Sequence, residues 1–475
     1  MKLKQITALI LGACLAVSAT AAEKLGGRPS DVKAREIFAK VISIPTELGR
    51  NKVPEMAEYL AQEFRAGGFP AEDVVVTPIK KSGDQTATLT VRYRGDGTGG
   101  KPILLMAHMD VVTAKRADWQ RDPYQLIEEN GYFYGRGTAD IKSGVTTLTS
   151  TFLRLKKEGF RPKRDLIIYF SGDEETSQDT TVAMVREHRN LVDAEFALNS
   201  DGGGGTLDDN TGKPLYYLLQ TAEKSYADFA LTAHNPGGHS SQPRGDNAIY
   251  DLAAALLRVR DYPFPVMSNE TTLANLRAAA KTTPGELGAA MAKFAANPQD
   301  EAAAAVIARS PAHVGWTRTT CVATLLEGGH APNALPQSAV ANVNCRIFPG
   351  VKIDEVQAAL QKAAGDGIEV KVKGEPMSSD ASPLRADLVA AVTRTVQKLR
   401  PGVEVVPNQA SGATDGLVFR AAGIPTYGVD GMFMRPKDDF AHGLNERVPV
   451  DGFYLALDHW YYLLKDLGGQ EALKR

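Results

Sequence analysis

The stretch Leu166–Asp179, LIIYFSGDEETSQD, runs five apolar or aromatic residues through Ser171 into Gly172 and then sets Asp173, Glu174 and Glu175 side by side. A short apolar run of this kind reads as a strand buried on both faces, as in a parallel sheet. Acids just beyond its end stand where α/β sheets gather their working residues. Three neighbouring acids would repel and raise one another's pKa, whereas beside divalent cations the same cluster is favourable.

Helical patterns and short apolar runs alternate around this stretch. PEMAEYLAQEFRAGGF (Pro54–Phe69) has Pro54 at a helix start and Gly67-Gly68 at its end. TATLTVRY (Thr86–Tyr93) and PILLMAH (Pro102–His108) read as strands, and a helix is expected from about Ser143 to Glu158. The alternation predicts an α/β fold with a mostly parallel sheet flanked by helices. Near Thr221 the texture changes. SYADFALTAH alternates like a half-exposed antiparallel strand, NAIYDLAAALLRVR is an amphipathic helix, and TTCVATLLEGG and SAVANVNCRIF read as two more strands. A smaller α+β domain inserted into a discontinuous larger one is therefore expected. The divisions are a leader over 1–21, the large domain over 22–222 and 350–475, and the inserted domain over 223–349 with an Ala-rich helical insertion at about 264–315.

The chain has 475 residues, 43% of them hydrophobic, and its 54 basic and 56 acidic residues nearly cancel. That balance gives no case for nucleic acid or a membrane surface as partner. Lys2 and Lys4, the apolar run from Ile6 and Ala19-Thr20-Ala21 read as a cleaved signal peptide, so a periplasmic or secreted location is expected. Lipid attachment at Cys14 ranks below free export, and no later segment approaches the ~18 to 20 apolar residues of a membrane span. An exported compartment permits a disulfide between Cys321 and Cys345; two small buried residues is the other reading.

Five places put His, Asp or Glu after an apolar run or in a Gly-rich turn: MAHMDVV (His108, Asp110), GRGTADIKSG (Asp140), SGDEETS (Glu174, Glu175), LNSDGG (Asp201) and FAHGLNERV (His442). Strand ends that finish in nitrogen and oxygen ligands are set up to hold metal. In an extended strand His108 and Asp110 share a side, so the Asp110 carboxylate can orient the imidazole. Glu174 and Glu175 should diverge, one binding an ion while the other accepts a proton from water.

In this order the motifs resemble the M20 family of two-zinc metallopeptidases and amidohydrolases, over nearly all of the mature chain. The resemblance implies that Asp140 bridges two zinc ions, with His108 and Asp201 completing one site and Glu175 and His442 the other. Glu174 is then the general base, Asp110 orients His108, and a cis peptide is expected at Asp140-Ile141. Two ions would acidify a shared water and polarise the scissile carbonyl. Zinc is implied, with Co²⁺ or Mn²⁺ as possible substitutes. His239, in NPGGHSSQP, resembles the lid histidine that stabilises the oxyanion. Asn333 and Arg346, with Ser411 and Gly412 of SGATDG, resemble the substrate-binding set. His188, His234, His313, His330 and His459 read as surface or packing residues.

The long lid, VNCRIFPG and HGLNERVPVDGFYLAL look most like the carboxypeptidase S and N-acyl-amino-acid hydrolase branch. A homodimer through the lid, or a monomer whose enlarged lid replaces the partner, is expected. The expected function is an exported zinc hydrolase cleaving an amide bond next to a free C-terminal amino acid. An aminoacylase-type deacylase and a noncatalytic peptide-binding protein are the alternatives.

Overall fold

The computed structural model describes residues 25–81 and 84–470, so the expected leader and Cys14 lie outside the described residues. Its main feature is a ten-stranded mixed sheet. Along the sheet lie Val74–Lys81, Asp84–Tyr93, Leu166–Ser171, Ile103–His108, Phe196–Asn199, Thr426–Gly428, Pro214–Glu223, Gly204–Leu207 and Phe433–Met434; Glu404–Ala410 pairs with Pro214–Glu223 off that path. Leu166–Ser171, Ile103–His108, Phe196–Asn199 and Thr426–Gly428 are mutually parallel.

The two-residue period of a strand sorts its side chains between two helical layers. Ile103, Leu105 and Ala107 join Phe38, Phe64, Phe152 and Trp460 in the larger core. Leu104 and Met106 face the other way, onto Tyr169, Met184 and Phe419. Both faces of Leu166–Ser171 are buried along its length, which is why the opening stretch carries no polar alternation.

A four-stranded antiparallel sheet forms the smaller unit, in the order Thr320–Gly328, Ser338–Ile347, Ser225–His234, Ile368–Lys373. Helices Ala248–Asp261 and Ile353–Ala364 share its core, which includes Phe229, Leu252, Val343 and Leu360. The small unit thus runs past the expected boundary at 349, because strand Ile368–Lys373 pairs with Ser225–His234 and helix Ile353–Ala364 packs into the same core rather than on the large sheet. Cys321 and Cys345 stand directly opposite on adjacent strands and form a disulfide.

The helical insertion, Glu270–Ala280, Gly285–Ala296 and Glu301–Ala308, has its own core around Met291 and Phe294. It docks on the large domain: Asn275 Nδ2 donates to Asn408 Oδ1 at 3.3 Å, and Lys281 Nζ meets Glu404 at 2.8 Å. It therefore adds nothing to the lid sheet, whose outer strand Thr320–Gly328 stays exposed.

Candidate metal centre and active site

The carboxyl ends of three neighbouring parallel strands build the site. His108 is the last residue of its strand and lies opposite Ser171, three residues before Glu174; Asp201 follows Phe196–Asn199. Asp140 lies just before helix Lys142–Lys157, and His442 comes from a loop near the C-terminus. Gly172 has a steric reason: a Cβ there would sit 2.4 Å from the Ala87 carbonyl oxygen of the adjacent strand.

The three acids diverge. Asp173 turns back and accepts from Thr180 N at 3.1 Å and Ser177 Oγ at 2.9 Å. The amides of Glu174 and Glu175 donate to Asp110 Oδ1 and Oδ2 at 3.1 and 3.0 Å. Glu175 Oε2 lies 2.9 Å from His442 Nε2, while Glu174 Oε1 accepts from Gln178 Nε2 at 3.2 Å. Asp110 thus acts chiefly on the two glutamate amides. His108 Nδ1 lies nearer the Asp110 backbone carbonyl, at 3.0 Å, than its carboxylate, at 3.5 Å.

Asp140 stands between the histidines, Oδ1 at 2.9 Å from His108 Nε2 and Oδ2 at 3.0 Å from His442 Nε2. Asp201 Oδ2 is 3.9 Å from His108 Nε2. Two groups result, His108–Asp140–Asp201 and Asp140–Glu175–His442, each with ligand atoms within 4.8 Å of one another. Imidazole and carboxylate donors in these numbers suit a pair of divalent ions.

The electrostatics fit such ions. Burial, then the charge of Asp140, pushes Asp201 well above the usual carboxylate range, and burial, then Asp201, does the same to Glu174. For Asp140 burial is outweighed by hydrogen bonds from His108 and His442, which hold it well below that range. His442 is raised to about 10 by its bonds to Asp140 and Glu175. The raised His442 thus answers the same call for positive charge that bound cations would meet.

Residues the sequence reading passed over hold this arrangement. Glu446, fully buried, accepts from Arg136 Nη1 at 2.7 Å, Gly137 N at 3.1 Å, Ala139 N at 2.7 Å and Asp140 N at 3.0 Å. Arg136 Nη2 also donates to the His442 carbonyl at 3.3 Å, helping to hold His442 at φ 62°, a conformation uncommon for a non-glycine residue. Glu446 lies four residues after His442 in FAHGLNERV, the one local hint of its part. Asp415, buried in SGATDG, accepts from Ser171 Oγ and from Thr181 Oγ1. Thr414 bridges Asn199 and Glu223, and Glu223 pairs with Arg420 in the interior.

The lid residues form two groups. Gly238–His239 pairs with Ala334–Leu335, and Ser240 N donates to the Asn333 carbonyl at 3.0 Å. Arg346 lies over the Tyr226 ring at 4.9 Å and donates to the Ser411 carbonyl at 3.2 Å. Among the described residues, no hydrogen bond or ion pair joins His239 or Asn333 to the five ligand residues, and every peptide bond, Asp140–Ile141 included, is trans. The trans chain already brings both Asp140 oxygens to the histidines, so it avoids the ~3 kcal/mol of a cis non-proline bond.

The model for peptidase family M20/M25/M40 matches residues 104–466. The chain belongs to that family. As an M20 protein it is a metallopeptidase or amidohydrolase, and its α/β architecture with a lid is the family's. It is 28% identical over 384 residues to the human N-fatty-acyl-amino acid synthase/hydrolase PM20D1, covering 78% of this chain and 75% of that one. It is 25% identical over 395 residues to a probable carboxypeptidase S-like 2 of Dictyostelium discoideum, covering 80% and 74%. Its fold resembles that of the M20 metallo-carboxypeptidase Sso-CP2 of Sulfolobus solfataricus, with TM-score 0.69 and 19% identity over 92% of this chain and 99% of that one.

Proposed function

We propose that this M20 protein is an exported two-zinc hydrolase that cuts the amide bond next to a free C-terminal amino acid. The observation that carries the reading is the pair of ligand groups sharing Asp140. His108, Asp140 and Asp201 would hold one ion, and Asp140, Glu175 and His442 the other. Bound there, two ions supply Lewis-acid polarisation of a carbonyl and acidify water. The imidazoles favour zinc, and the carboxylates also accept Co²⁺ or Mn²⁺.

Glu174 is the proton carrier. It takes the proton of water as the amide carbon is attacked and returns a proton to the leaving nitrogen. Its backbone is fixed by Asp110, which keeps the carboxylate in place through both transfers. His239 would donate to the developing oxyanion. Arg346, with Asn333, Ser411 and Gly412, would hold the substrate's terminal carboxylate; a guanidinium suits that planar anion in a two-point contact.

Two further observations support parts of the reading. The Cys321–Cys345 disulfide fits an oxidising compartment and so supports export. The outer lid strand exposes Val322, Leu325 and Leu326 at 61, 65 and 66%, an uncovered edge that favours a homodimer through the lid over a monomer.

A second reading, an N-acyl-amino-acid deacylase, is favoured by the likeness to the human N-fatty-acyl-amino acid synthase/hydrolase. Dipeptides, N-acetyl and long-acyl amino acids assayed side by side on zinc-loaded protein separate the two, with release of the C-terminal amino acid as readout. Turnover is expected with a free C-terminal carboxylate and lost with the C-terminal amide. Equal turnover of the amide would overturn the proposed direction of cleavage.

A further inference from the structure

A cavity of about 360 Å³ opens beside the ligand residues Asp140 and Asp201. Its wall includes Ala139, Ile141, Met432, Met434 and the glycine run Gly202–Gly205. The run leaves this wall without side chains for a backbone reason. Gly203 has φ +75° and a Cβ on it would sit 2.4 Å from the Gly428 carbonyl oxygen; Gly204 has φ +96°.

Asp430 lines the same cavity. Its amide donates to the Gly202 carbonyl at 2.9 Å, which puts it beside the residue that follows Asp201. Its carboxylate accepts from the amides of Gly431 and Met432, and no ion pair joins it to a cation among the described residues. Burial pushes it up to about 7. The other charged groups on the wall are the ligand residues Asp140 and Asp201, with Arg435 and Asp439. Arg435 is engaged with Tyr132 and acts on Asp438, while Asp439 is exposed at the rim and accepts from Ala441 N at 3.3 Å. The cavity therefore presents a side-chain-poor glycine wall and, apart from the ligand residues Asp140 and Asp201, one inner carboxylate with no cationic partner among the described residues.

We propose that this cavity receives the acyl side of the scissile bond and that Asp430 is a specificity-determining residue binding a primary ammonium group there. The assignment rests on the function proposed above. In that reading the terminal carboxylate goes to Arg346, so the substrate's other end meets the acidic wall, and opposite charges at the two ends fix its direction. The volume is at the small end of ligand pockets, which suits a single amino-acyl unit rather than a long chain. The ammonium can be the α-amino group of a dipeptide or the more distant amine of a β-amino-acyl unit.

The test uses zinc-loaded protein and four substrates sharing one leaving group: glycyl-leucine, β-alanyl-leucine, N-acetyl-leucine and N-dodecanoyl-leucine. Wild type should show a higher kcat/KM for one of the amines than for either acyl compound, and the preferred amine identifies its source. In Asp430→Asn the ratio of amine to acetyl substrate should fall about 10- to 100-fold, as for loss of a charged hydrogen-bond partner. An unchanged ratio, including a parallel loss on both substrates, overturns the assignment. So does a wild-type preference for the acetyl or dodecanoyl compound, a readout that needs no variant to fold; that result leaves the hydrolase reading standing. Absence of turnover on all four overturns the hydrolase reading and the assignment with it.

Discussion

Asp140 and His442 stand 3.0 Å apart, although 302 positions separate them along the chain, and the other oxygen of the same carboxylate is 2.9 Å from His108. One side chain thus joins the two halves of the large domain at a point where burial and acid–acid repulsion call for positive charge. Its geometry depends on the loop that carries it, and that loop is held by Glu446.

Glu446→Gln keeps the shape of the carboxylate but replaces one acceptor oxygen with a donor facing Arg136 or the amides of Gly137, Ala139 and Asp140. Zinc affinity should fall about 10- to 100-fold, the usual cost of losing a partner that orients ligands. Competition with a chromophoric chelator measures it. Unchanged affinity would show that Asp140 is held without Glu446.

Metal binding should release protons. Hydrogen bonds to Asp140 and Glu175 raise metal-free His442 from 6.5 to about 10, so it is charged at pH 7. In the metal-free protein this group contributes stability that is complete below about 6.5 and lost as pH rises through about 10. A ligand must be the neutral imidazole, so zinc affinity should climb with pH across that window. Calorimetric titration in two buffers of different protonation enthalpy reads the release directly. Heats that do not depend on the buffer would contradict it.

Arg346 keeps its charge but loses its fork in Arg346→Lys. For a substrate with a free C-terminal carboxylate, KM should rise about 10-fold with a smaller change in kcat, the pattern of lost ground-state binding. A fall in kcat alone would place Arg346 in the chemical step instead.

The disulfide closes a segment with sequence separation 24 between adjacent lid strands. Removing it with Cys321→Ala and Cys345→Ala should destabilise the protein by about 3 kcal/mol on the chain-entropy account. Thermal unfolding of the oxidised, reduced and double-alanine proteins tests this. Identical melting of all three would show that the bond adds nothing to folding.

The ends of the parallel strands were legible in the sequence because a strand buried on both faces leaves an unbroken apolar run, and the acids and histidines interrupt it at the edge. His108, Glu175 and Asp201 stood out for that reason, Asp140 and His442 for their Gly-containing turns, and the structure brings all five to one place. The end of the small domain was not legible. Ile353–Ala364 and Ile368–Lys373 have ordinary helix and strand patterns, and local pattern does not say which sheet a strand joins. Glu446 was hidden for a related reason: an acid reads as exposed until its partner is known, and Arg136 is 310 positions away. The insertion's Ala-rich helices likewise gave no sign that they would dock on Glu404–Ala410 rather than on the lid.

The central claim, that Asp140 joins two cations while Glu174 moves the proton, is tested most directly by metal content and turnover of Glu174→Gln beside wild type. About two zinc ions per chain are expected in both proteins, with turnover in the variant lower by at least ~10² to 10⁴. Full turnover in Glu174→Gln, or a wild-type protein that is active with no metal bound, would contradict it.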